Sequence, residues 1–315
     1  MSDTGEHEVE HEITVRAPRG EVYRLLADVT NWPRIFPPSV HVQCLERTGG
    51  SERIQIWATA NGEPKNWTSR RELDPQAMRI EFTQEVTAPP VAAMSGTWIL
   101  EEGSARDTRL RLLHRFRAAG DDPAALDWIV QAVDSNSRSE LASLKANIEL
   151  ATMAADRTMS FTDSVTVDGA AKDLYEFVHE AQLWSERLPH VADVRLTEAT
   201  PGLQKLWMRT LSKDGGTHTT ESVRVCFPYR NIVYKQTTLP ALMSLHTGYW
   251  AFTEDDEGVV TAISQHTVTI RTENIAAVLG PGADLEQARR FVRGALGANS
   301  RATLGHAKAY AETRR

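Results

Sequence analysis

Residues 67–73 read Trp-Thr-Ser-Arg-Arg-Glu-Leu, and their alternation sets a chemical problem. In a strand, Trp67, Ser69, Arg71 and Leu73 share one face, while Thr68, Arg70 and Glu72 share the other. The first face is that of a core and the second is wet, so Arg71 is directed inward. An unpaired guanidinium there is costly and needs a buried partner or a water-filled cavity. On a cavity wall an arginine can hold a developing oxyanion without itself titrating, and Ser69, two residues earlier, can orient a substrate oxygen or a water. The alternative for Arg71 is a structural salt bridge to an inward carboxylate. His114 lies in the alternating run LRLLHRF on the face of Leu110, Leu112 and Phe116. It is either a proton carrier near neutral pH or a hydrogen-bonded core histidine. Asn136 sits among apolar positions of a helical stretch, facing a pocket or bonding within its own helix.

The elements that must position these residues follow from periodicity. EVEHEITVRA reads as a strand, and PRGEVYRLLADV as a helix begun by Pro18, with Val22, Leu25 and Leu26 on one face. Strands are expected over 40–46, 53–60, 65–73, 78–85, 94–101 and 108–117, punctuated by Gly49-Gly50, Asn61-Gly62, Asp74-Pro75 and Glu102-Gly103. A helix over 123–153 closes the unit with the stripe Leu126, Ile129, Val130, Val133, Leu141, Leu144 and Ile148. This is an α+β unit in which a curved antiparallel sheet wraps a long C-terminal helix. A pocket remains wherever inward side chains fall short of the helix.

The unit occurs twice. At an offset of 152 residues Trp32 falls on Trp184, Pro37 on Pro189, Gly96-Thr97-Trp98 on Gly248-Tyr249-Trp250 and His114 on His266. With small loop adjustments Ser69 and Arg71 meet Ser222 and Arg224, and Asn136-Ser137-Arg138 meet Asn299-Ser300-Arg301. The expected domains are 1–153 and 158–315, the second ending in a helix over 285–313. The apolar alternation of Val223, Val225 and Phe227 leaves open which way Arg224 points.

Composition excludes several classes. At 315 residues, 41% hydrophobic and 24% charged, the chain has the balance of a globular protein with about two cores. A net charge of −7 argues against a general nucleic-acid binder. The acidic, polar start MSDTGEHEVEHE and short apolar runs give neither a secretory signal nor a membrane span. Two cysteines, Cys44 and Cys226, make no disulfide framework, so a reducing cytoplasm is expected.

WPRIFPPSVHV, IWATANGEPKNWTSRREL, PPVAAMSGTW and NSRSEL resemble the aromatase/cyclases of bacterial type II polyketide synthases, which belong to the helix-grip, START/Bet v1-like superfamily. The doubling resembles their di-domain class. The resemblance implies an enzyme that takes a poly-β-ketone from an acyl carrier protein and forms or aromatises its first ring, C7 to C12, with no metal or organic cofactor. Its partners are the carrier protein, the minimal polyketide synthase and, for a C9-reduced substrate, a ketoreductase; neither nucleic acid nor membrane is among them. Both aromatisation of a C9-reduced, cyclised intermediate and cyclisation of an unreduced chain fit. Arg71, Ser69, Asn136 and His114 are then the catalytic candidates, with Trp67, Trp32 and Phe82 as substrate contacts and Trp98 left to the core. In the second half Arg224, Ser222, Asn299 and His266 are the corresponding contacts, although Trp67 is replaced by Thr220 and WPRIFPP by WSERLPH. Arg109, Arg111, Arg115 and Arg117, on the outer face of one strand, are a candidate docking face for an acidic carrier. A different class remains open: a module that carries an apolar ligand without reacting it.

Overall fold

The computed structural model describes residues 6–314 apart from 61, 105 and 212–214, and the chain divides into two units, Met1–Ala155 and Asp156–Arg315. Asn61 of the expected Asn61-Gly62 turn lies outside the described residues.

In the first unit β1 (His7–Val15) precedes α1 (Arg19–Ala27), a 3-10 turn (Val29–Asn31) and the short α2 (Trp32–Ile35). The meander β2 (Ser39–Thr48), β3 (Ser51–Ala60), β4 (Glu63–Asp74), β5 (Arg79–Gln84), β6 (Val91–Ser104) and β7 (Asp107–Ala118) then leads to α3 (Pro123–Met153). These strands form one seven-stranded antiparallel sheet in the order β1-β7-β6-β5-β4-β3-β2. The expected elements are all present, with strand ends displaced by a few residues. The second unit repeats the plan. Its strands are β8 (Thr158–Val167), β9 (Val191–Thr200), β10 (Leu203–Leu211), β11 (Thr217–Phe227), β12 (Asn231–Thr238), β13 (Met243–Glu254) and β14 (Val260–Ile270). Its helices are α4 (Ala171–His179), α5 (Trp184–Arg187), α6 (Ile275–Leu279) and the closing α7 (Leu285–Glu312).

The closing helices start where local chemistry allows. Asp122 accepts a hydrogen bond from Ala124 N and Pro123 occupies the first turn of α3, where a missing N–H costs nothing. Asp284 and Gln287 form a reciprocal capping box on α7. Along α3 the apolar stripe packs in two places. Leu141, Leu144 and Ile148 join the core around Val15, Val22, Leu26 and Trp98, whereas Ile129 and Val133 pack on Phe116 and Ala118. Between them the helix turns Asn136, Ser139, Glu140 and Ser143 toward an opening. This polar strip at helical spacing keeps the two patches from closing into one core.

Gly96 and Gly248, which match in the repeat, have a packing reason. A Cβ on Gly96 would run into the Phe82 ring and the Leu113 carbonyl, and one on Gly248 into Tyr234 and the Gln265 carbonyl. Gly96→Ala is therefore expected to cost about 1–3 kcal/mol by overpacking, seen as a lower denaturant midpoint with unchanged slope.

Outward, β7 carries a charge ladder rather than a basic patch. Arg109 pairs with Glu12 and Glu101, Arg111 with Glu10 and Glu101, and Arg115 with Glu8. Three of the four arginines of the expected docking face are thus paired, because β1 lies antiparallel to β7 and sets its glutamates beside them.

Candidate functional site

The first unit encloses a cavity of about 640 Å³ between sheet and α3, within the range of small-molecule sites. All seven site residues expected in this half (Trp32, Trp67, Ser69, Arg71, Phe82, His114 and Asn136) line it, as does Trp98, which was assigned to the core alone.

Arg71 is only 1% exposed and is clamped. The β3/β4 register sets Glu52 directly opposite it, and Nη2 donates to Glu52 and to Ala27 O at 2.7 Å. Nη1 donates to Leu26 O at 3.1 Å, an orphan carbonyl near the end of α1. The guanidinium lies 5.3 Å from the centre of the Trp32 ring, whose Nε1 donates to the same Leu26 carbonyl at 2.9 Å. Burial pulls the Arg71 pKa below its usual value and Glu52 pushes it back. Both readings of Arg71 thus describe one residue: it is salt-bridged to an inward carboxylate, and it lines the cavity. Of the five N–H donors of a guanidinium, three have these partners, while Nε has none.

Ser69 donates to Thr83 O at 3.0 Å, leaving its oxygen as an acceptor. His114 Nδ1 lies 3.3 Å from Ser137 Oγ, and Phe82 meets its ring edge-on. Burial, aided by nearby His11, lowers the His114 pKa to about 4. The imidazole is therefore neutral at pH 7, the state in which a hydrogen-bonded core histidine is held.

The group that titrates there is one that sequence reasoning passed over. Glu140 lines the cavity one helical turn beyond Asn136, and burial raises its carboxyl pKa to about 7. The residue is partly exposed. Its signal was the i, i+3, i+4, i+7 spacing of Asn136, Ser139, Glu140 and Ser143 within and beyond NSRSEL.

The second unit holds a smaller cavity, about 120 Å³, lined by Ser222, Arg224, His266 and Asn299 as expected. Arg224 points inward, which settles its direction; Val223 and Val225 are buried on the opposite face. Two features shrink this cavity. The buried face of α7 is built largely of small residues, among them Ala288, Gly297, Ser300, Ala307 and Ala311, so helix and sheet can approach closely. At the positions of Phe82 and Met94 stand Tyr234 and His246, which join His266 in a buried network: the Tyr234 hydroxyl is 2.9 Å from His266 Nδ1, and so is His246 Nε2. His266 Nε2 reaches Ser300 Oγ at 2.6 Å.

Among the described residues no helix is long and apolar enough to cross a membrane.

The profile of the family described as "Polyketide cyclase / dehydrase and lipid transport" matches residues 6–149 and again 158–312. A granaticin polyketide synthase bifunctional cyclase/dehydratase of Streptomyces virginiae is 51% identical, over 94% of this chain and 97% of its own length. The actinorhodin polyketide synthase bifunctional cyclase/dehydratase of Streptomyces coelicolor is 46% identical over 99% of each chain. Among solved structures, the di-domain ARO/CYC BexL from the BE-7585A biosynthetic pathway superposes with a TM-score of 0.94 at 64% identity, covering 98% of this chain and all of its own. StfQ, the di-domain ARO/CYC of the steffimycin pathway, gives 0.86 at 37% identity over 97% of this chain and 99% of its own. On these grounds the chain belongs to the polyketide cyclase / dehydrase and lipid transport family, and it carries the family's domain twice in tandem.

Proposed function

We propose that this chain is a polyketide aromatase/cyclase whose amino-terminal cavity closes and aromatises the first ring, C7 to C12, of a poly-β-ketone delivered on an acyl carrier protein. The observation that carries this reading is a cavity of about 640 Å³ holding a clamped arginine and a carboxyl whose pKa is raised to about 7. The relatives' names, cyclase and dehydratase, describe the same two steps.

Ring closure needs a proton removed from a methylene between two carbonyls, an oxyanion held and one fold of a flexible chain selected. As carboxylate, Glu140 takes the methylene proton. The enolate carbon then attacks a ketone of the same chain, forming the C–C bond and placing charge on that ketone's oxygen. Arg71 carries this charge through donors not committed to Glu52, Leu26 and Ala27, and its rigid clamp means that little reorganisation is needed as charge develops. The protonated Glu140 returns its proton to the oxygen, leaving a hydroxyl. In dehydration Glu140 removes a ring proton next to a carbonyl, Arg71 holding the enolate that forms, and the protonated Glu140 then gives that proton to the hydroxyl, which leaves as water, so one water is lost and no oxidant or reductant is needed. Asn136 and Ser69 orient the oxygens, neutral His114 contributes a hydrogen bond, and Trp32, Trp67 and Phe82 confine the chain so that its two reacting carbons meet.

The test is product analysis after reconstitution with a minimal polyketide synthase, with and without its ketoreductase. A new first-ring aromatic product dependent on this chain is expected, and the ketoreductase requirement separates a C9-reduced from an unreduced substrate. Binding of the polyketide with no change in products would instead mark a carrier.

A further inference from the structure

For the ring chemistry proposed above, on which this assignment rests, the geometry points to a positioning residue outside the cavity: Arg47 holds the outer oxygen of Glu52 and so leaves the charge of Arg71 free to act on the substrate. Three charged side chains occupy one rung of the sheet. Arg47 on β2 stands directly across from Glu52 on β3, and Glu52 directly across from Arg71 on β4. Glu52 divides its carboxylate between them, Oε1 pairing with Arg47 and Oε2 with Arg71. Glu52 and Arg71 are each 1% exposed, while the Arg47 side chain is 63% exposed and does not line the cavity. A break in the β2/β3 register brings Arg47 there. Cys44 pairs with Ile54 and Glu46 with Arg53, so Leu45 is the extra residue of a bulge. Plain alternation from the inward Val42 would turn Arg47 to the outer face, and the bulge re-aims it at Glu52.

One guanidinium is enough to neutralise a buried carboxylate. The second gives the cluster two positive groups and one negative, a net +1, and Arg71 is the member that carries this excess to the cavity wall. Without Arg47, Glu52 would answer the Arg71 charge in full and the cavity would face a neutral pair. Arg47 and Arg71 stand two strand spacings apart, about 10 Å. At an effective dielectric constant near 20, a charge at that distance changes the stability of an oxyanion by about tenfold, once the exposure of Arg47 is allowed for. The second half lacks this device. Gln204 stands across from Arg224, and at the offset that sets Glu46 on Glu198, Ala199 takes the place of Arg47. Both halves keep the inner arginine, while the carboxylate across from it and the outer arginine are absent together from the second. Glu52 thus clamps Arg71 in place, and Arg47 keeps the clamp from neutralising it.

The experiment compares Arg47→Gln and Arg47→Lys with wild type, each as the full chain. Calorimetric titration uses 3-hydroxy-2-naphthoate and its neutral isostere 3-hydroxy-2-naphthamide, two-ring probes too large for the second half's cavity of about 120 Å³, since benzene alone fills one near 150 Å³. Wild type is expected to favour the anion by about tenfold or more. Arg47→Gln should lose about tenfold in affinity for the anion and none for the amide, while Arg47→Lys, which keeps the charge, should stay within about threefold of wild type. Rates of first-ring formation with the reconstituted synthase are expected to follow the same order. A wild type with no preference for the anion, or a lysine variant as weak as the glutamine variant, would overturn the assignment. So would a lower melting temperature in Arg47→Gln with the anion affinity and ring-forming rate of the folded chain unchanged, the mark of a purely structural tie. A wild type that shows the Arg47-dependent preference yet closes no ring overturns the ring-closing reading instead and leaves the charge effect of Arg47 standing.

Discussion

Glu140→Gln is expected to slow first-ring formation by about 100-fold or more while leaving the chain folded. The amide keeps the shape and the polarity of the side chain but cannot accept and return a proton. In the wild type the carboxylate is the working base, so the rate should rise with pH through the carboxyl's pKa of about 7, and that limb should vanish in the variant. Stability offers an independent reading of the same group. Folding raises this pKa from 4.5 to about 7 because burial disfavours the charged form. The unfolded chain therefore gives up the proton first, and the wild type loses stability as pH rises from 4.5 through 7. Glutamine has no charge to bury, so the variant should gain roughly 1–3 kcal/mol over wild type at pH 8 and almost nothing at pH 4. Equal rates and superimposable pH profiles would remove Glu140 from the mechanism; melting curves that track at both pH values would show that its carboxyl is not buried as described.

The second large effect concerns Arg71 and Glu52. Arg71→Ala alone leaves Glu52, 1% exposed, with only the exposed Arg47 as a partner, takes the Arg71 donor from the Ala27 carbonyl and leaves the Leu26 carbonyl to Trp32 Nε1. Breaking such a pair costs about 3–5 kcal/mol, so loss of activity in that variant would confuse unfolding with chemistry. Replacing both partners separates the two. Arg71→Met with Glu52→Leu exchanges a buried ion pair for apolar side chains of similar volume, a change that is often neutral for stability. This double variant should stay folded, losing about 1–3 kcal/mol for the Ala27 carbonyl left without its donor, yet release mis-cyclised or unaromatised products, because nothing then holds the developing oxyanion. A folded double variant with the wild-type product pattern would make Arg71 purely structural.

Local patterns accounted for much of this protein. Period-two alternation placed Trp67, Ser69 and Arg71 inward, the 3.6-residue stripe traced α3, and the 152-residue offset displayed the duplication before any coordinates. These signals are legible because each depends only on residues near one another in the chain. Alternation was too weak to orient Arg224, whose strand is apolar on its other face as well, and only burial on both sides of the sheet decided it.

Three features depended on the tertiary structure. Glu52 became the partner of Arg71 through the β3/β4 register, which sets residues 19 apart face to face. Glu140 became a cavity carboxyl because α3 packs by two separate apolar patches, leaving a polar strip between them over open space; an isolated helix shows the strip but not what it faces. The contrast between a cavity of about 640 Å³ and one of about 120 Å³ came from how closely each helix approaches its sheet and from Tyr234 and His246 filling the second. Periodicity sets which way a side chain points, while cavity volume, ion-pair partner and pKa are set by what packs against it from distant parts of the chain.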